Sequence, residues 1–212
     1  MPLAATLLAL VLTLAPQTPV AAPVRCAATD PLLNELLAGP ARDWNGDGAY
    51  SSRDDEWLEV LNPGTEALDL GAYLVTDADR LPRYAFSGTL AAGARRLVTG
   101  RDSYDWERAG GFPAYGLSLG NSGDTVMLWK VAGAETLLVD SYTYSSHEAA
   151  ADRAVGRLPD GGGWALLDGL NPYVGTQLPQ GTGCPPTPGE PNLCDDTPVR
   201  PGTWGQLKSL YR

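Results

Sequence analysis

The chain has 212 residues, 43% apolar and 19% charged, with a formal net charge of −10 and one histidine, His147. The apolar share is enough for a sizeable core and excludes disorder as the main state. The acidic balance repels a phosphate backbone or an anionic lipid surface, so no nucleic-acid partner is expected, and one histidine excludes a multi-histidine centre.

In chain order, residues 1–22 carry no charged side chain, and the apolar run Leu3–Ala15 breaks at Pro16. That run is shorter than the roughly 20 residues a membrane span needs and has the length of a signal-peptide core. Residues 1–22 are read as a signal peptide and 23–29 as a linker. The protein is then secreted or held in the cell envelope, without a transmembrane anchor. Pro31–Ala38, PLLNELLA, has helical propensity and is also a credible edge strand. From Glu56 onward, short apolar or alternating runs separated by turn residues indicate an antiparallel, all-β sandwich or barrel. These runs are Glu56–Leu61, Leu68–Asp77, Arg95–Gly100, Asp124–Val131, Thr136–Tyr144 and Gly163–Leu167. Asp124–Val131 and Thr136–Tyr144 should form a hairpin. From Gly169 to Gly202, Pro, Gly, Thr and Asn dominate, which reads as ordered loop passing into linker.

Residues 43–54 carry the one pattern with coordination chemistry. Oxygen side chains fall at positions 1, 3, 5 and 9 as Asp43, Asn45, Asp47 and Ser51, with Gly48 at the turn position. The Ala49 carbonyl stands at position 7 and Asp54 at position 12. Calcium needs six to eight hard oxygens, and this spacing converges them. Asp in place of Glu at position 12 resembles the calcium loops of dockerin modules, and Asp55 and Glu56 are nearby substitutes. The segment after the loop reads as a strand, so a bound Ca2+ would be structural. The plainer reading is an acidic Asn/Gly turn.

Of the three cysteines, Cys184 and Cys194 bracket a short Pro-rich loop and are expected to pair. Pairing of Cys26 with either stays open. His147 is read as a solvated loop side chain. The loop aromatics Trp44 and Trp106 are candidates for a ligand surface. Twenty-five acidic residues allow many carboxylate pairs, and none is marked out for glycoside hydrolysis.

Asn34-Glu35, DDEWLEVLNPGTEALDLGAYLVTD, GLSLGNSGDTVMLWKV, LLVDSYTY, GRLPDGGGWALL and Thr187–Asn192 together resemble the bacterial lamin-tail domain over residues 30–193. The resemblance implies an immunoglobulin-like β-sandwich, with Pro31–Leu37 as its first strand and the calcium-like loop inserted before the second. Residues 194–212 form a C-terminal tail. Glu56, Trp57, Glu59 and Asn121–Asp124 are implied to be fold determinants, and no catalytic residue carries over. The expected function is a non-enzymatic structural or interaction module with an unknown protein or glycan partner at the cell surface. The alternatives are a carbohydrate-binding module and, last, a hydrolase with an unmarked carboxylate pair.

Overall fold

The computed structural model describes residues 30–194; the leader, the linker with Cys26, and the tail from 195 lie outside them. Packing overrides helical propensity in the first element. PLLNELLA forms strand β1 (Leu32–Leu37), five of whose six residues are buried. It is no edge strand. It pairs with β2 (Trp57–Leu61) on one side and β10 (Ala154–Leu158) on the other, at the centre of a sheet ordered β11-β10-β1-β2-β7. Here β7 is Arg95–Thr99 and β11 is Gly163–Leu167. A bulge at Asn34 turns Leu33 inward and Glu35 outward, which one register cannot do.

The second sheet is ordered β5-β4-β8-β9, from β4 (Tyr73–Thr76), β5 (Pro82–Ala85), β8 (Gly123–Ala132) and β9 (Glu135–Ser145). The expected hairpin forms between β8 and β9, closed at Ala132 and Glu135. A two-residue pair, β3 (Leu68–Asp69) with β6 (Thr89–Leu90), stands beside the sheets. The core between the sheets takes Leu33, Leu36, Leu58, Val60, Val75, Val98, Val126, Leu128 and Val155. At one edge, β9 carries a bulge at Val139. There Asp140 accepts a bond from the Leu33 amide (2.9 Å) and one from Arg157 (3.1 Å).

Sequence reading ended the Arg95–Gly100 run at its glycine and missed the helix that follows. α1 (Gly100–Ala109) starts with a capping box: the Thr99 hydroxyl receives the Asp102 amide, and Asp102 receives the Thr99 amide. α1 covers the β5 edge of the second sheet. Ser103 donates to the Arg83 carbonyl there, and Arg83 on β5 forms a buried ion cluster with Asp77 and Glu107.

Candidate functional site

Alternation along β1 and β2 puts Leu36, Leu58 and Val60 inside, and Leu37, Trp57, Glu35 and Glu59 on the outer face of the five-stranded sheet. Leu37, Trp57, Ala154, Leu167 and Cys184 form a second apolar cluster there. Beside it, Glu35 and Glu59 stand opposite each other in register, at 1% and 0% exposure. Burial pushes the Glu35 carboxyl up to about 8 and raises that of Glu59.

These two glutamates hold a strap formed by residues 184–194. Glu35 faces the Thr187 amide (3.0 Å) and hydroxyl (2.9 Å). Glu59 accepts from the Gly189 amide (2.8 Å) and from Asn34 Nδ2 (2.8 Å). Asn34 also donates to Asp160, which receives the Asn192 amide at 3.1 Å and ion-pairs with Arg95. Gly156 opposes Glu35, and a Cβ there would meet Asn192 Nδ2 at 2.9 Å, so only glycine lets the strap lie this close. Cys184 and Cys194 are bonded, with Cα atoms 5.4 Å apart, and close the strap at its ends. The loop expected to pass into linker is therefore an integral layer up to residue 194. An acid/base reading of Glu35 and Glu59 fails on access, since all four oxygens are engaged beneath the strap.

The 43–54 loop is organised by its own carboxylates. Asp43 accepts the Gly46 (2.7 Å) and Gly48 (2.8 Å) amides, Asn45 accepts that of Asp47, and Asp47 that of Ala49. Gly48 has φ +90°, which favours glycine at the turn. The Ser51 hydroxyl accepts the Asp54 amide at 3.2 Å. The residue that closes the loop is Asp55, one beyond the expected position. Fully buried, it receives the amides of Trp44 (2.8 Å), Asn45 (3.0 Å) and Ser51 (2.7 Å). Asp54 contributes its carbonyl, which receives the Arg101 amide from the first turn of α1 (3.1 Å). Among the described residues, no three or more His, Cys, Asp or Glu side chains gather as a metal-holding group.

Glu56, next to Asp55, is also buried. It accepts the Leu119 amide at 3.1 Å, and burial pushes it up to about 8. Neither aromatic candidate stands free. Trp44 packs 6.0 Å from Trp57 and donates to Asp152, while Trp106 lies on α1, not in a loop, stacked on Phe112 at 5.2 Å. Phe112 and Tyr115, absent from the candidate set, are each 48% exposed.

His147 is not solvated as expected. Its side chain is 8% exposed, its ring lies 4.8 Å from Tyr173, and Nδ1 is 2.5 Å from Ser145 Oγ. Glu148 bonds Ser145 and Tyr142 and does not orient the imidazole, so the order of a nucleophilic triad is not present.

Two antiparallel sheets packed face to face, with one short helix at an edge, define an immunoglobulin-like β-sandwich. The lamin tail domain model matches residues 27–146, more than half of the chain, and the protein belongs to that family. No curated protein and no solved structure matches. The family is typically non-catalytic and suggests a structural or interaction module. No helix among the described residues is long and apolar enough to cross a membrane.

Proposed function

We propose that this protein is an exported, non-enzymatic interaction module of the lamin-tail type, stabilised by calcium at the 43–54 loop, whose partner is a protein or glycan at the cell surface. The observation that carries the non-enzymatic part is the engagement of Glu35 and Glu59: these adjacent, buried carboxyls, both raised by burial, are spent on holding the strap. Export is supported by the uncharged leader and by the Cys184–Cys194 bond, which an oxidising compartment favours. Calcium would take Asp43, Asn45, Asp47, Ser51, Asp54 and the Ala49 carbonyl. Its charge would offset the mutual repulsion of Asp43, Asp47 and Asp54 and order a connection otherwise held by local bonds.

Fractionating cells that express the full chain tests export: mature protein in the medium or envelope is expected, and full-length protein confined to the cytoplasm overturns it. Thermal melting in calcium against chelator tests the ion. Wild type should melt higher in calcium and Asp47→Ala should respond less, at a dissociation constant on the order of 10⁻⁴ to 10⁻³ M. Identical melting of both proteins in both conditions removes calcium from the reading.

The second reading, a glycan-binding module, is favoured by the Trp106–Phe112 stack with Phe112 and Tyr115 exposed beside it. Glycan-array binding that disappears in Trp106→Ala would establish it.

A further inference from the structure

Three oxygens lie in a row beneath the strap: Glu35 Oε2, Thr187 Oγ1 and Asn192 Oδ1, with gaps of 2.9 and 2.8 Å. Asn192 fixes the direction of the row. Its Nδ2 donates to the carbonyls of Arg157 (3.0 Å) and Asn34 (3.4 Å), so its Oδ1 only accepts. The Thr187 hydroxyl has one proton, and Asn192 Oδ1 requires it. The contact between Oγ1 and Glu35 Oε2 then has no proton unless Glu35 supplies one.

From this row we infer that Glu35 is a neutral carboxylic acid donating to Thr187, and that its proton latches the strap: ionisation of Glu35 releases Thr187–Asn192 from the sheet.

The surroundings agree. Glu59 on β2 faces Glu35, and Asp160 lies in the β10–β11 turn. Among the described residues, Arg95 on β7 is the cation that ion-pairs at this face, shared by Glu59 (3.7 Å) and Asp160. Arg157 on β10 directs its guanidinium to Asp140 and the Leu33 carbonyl, β11 brings no charge, and Glu190 of the strap is exposed. A charge on Glu35 would therefore meet Glu59 across the ladder with Arg95 already committed. Burial, opposed by the Thr187 bonds and reinforced by Glu59, leaves this carboxyl up at about 8. Above that value the hydroxyl proton must serve two acceptors and the paired glutamates repel. Since the Cys184–Cys194 bond holds the strap ends, release is local and reversible.

A carbon-13 titration of the Glu35 side-chain carboxyl in the full chain needs no variant. The neutral signature at about pH 6.5 is expected, and an ionised signature there overturns the proposal. Amide exchange reads the strap itself. Corrected for intrinsic rates, the Thr187 and Gly189 amides should exchange about 30-fold faster at about pH 9.5 than at about pH 6.5, relative to β10 amides. Glu35→Gln can donate to Thr187 as the acid does and should keep the strap closed at both values. Glu56→Gln, away from the strap, should leave the acceleration intact. Unchanged strap exchange in wild type, or equal acceleration in Glu35→Gln, rejects the latch.

Discussion

The 43–55 loop and the 184–194 strap are both irregular segments held by carboxylates that receive backbone amides, yet they are built oppositely. The carboxylates of the loop come from the loop itself: Asp43 and Asp47, near solvent, reach two to five residues along the chain, and the buried Asp55 reaches four to eleven. The strap is held by Glu35 and Glu59, which are 152 and 130 residues from their partners and out of solvent. Water competes for a carboxylate at the surface and not for one in the interior. Local bonding therefore shapes the loop, while remote, buried bonding joins the strap to the sandwich.

The contrast is sharpest within the loop, between neighbours. Asp55→Ala leaves three amides without an acceptor and should cost about 3–5 kcal/mol, whereas Asp54→Ala should stay within about 0.5 kcal/mol, both read by urea denaturation. Equal losses would show that burial does not separate the two kinds of carboxylate. Replacing both Cys184 and Cys194 by alanine frees the strap ends and should lower stability by about 2–3 kcal/mol, by the same measurement.

Ionisation gives the next test. Glu35 and Glu56 both have folded values near 8, above their ordinary 4.5. Their contribution is complete below about pH 4.5, declines as pH rises, and is lost above about pH 8, at about 1 kcal/mol per pH unit for each group. Melting temperature should fall across that window, and Glu56→Gln should remove one share of the slope. A flat profile in wild type would mean both carboxyls are ionised. Between the two loop neighbours in size stands Asp43→Ala, which loses two exposed amide contacts and should cost about 1 kcal/mol in chemical denaturation, more than Asp54→Ala and less than Asp55→Ala.

What the sequence disclosed follows the same division. Alternating runs and turn residues marked β2, β7, β8, β9 and β11, because their patterns are local. β1 was ambiguous by propensity and legible only through the family resemblance, since its leucines are kept extended by strands on both sides. The helix was legible and passed over: Thr99 and Asp102 spell its capping box, and Gly110 follows its end. β5 escaped because it opens on a proline, and β10 because it is short and interrupted by Gly156. The loop register pointed to Asp54, and only burial distinguishes Asp55. The family motif contained Glu35, Glu59 and Thr187, but no spacing rule joins residues so far apart. Their contact exists only once the sheet is formed.

The β9 edge has a consequence for how the protein behaves when concentrated. An open strand is a template on which another chain can extend the sheet. Here the regular ladder runs only from Glu135 to Leu138 before the bulge at Val139, and the next residue, Asp140, is tied inward. A second chain laid along the edge meets one run of four residues, Glu135–Leu138, and one of six, Asp140–Ser145, with a kink and a carboxylate already bonded elsewhere between them. Leu137 and Leu138 can thus remain half-exposed without seeding sheet growth. The bulge breaks the edge into two shorter templates.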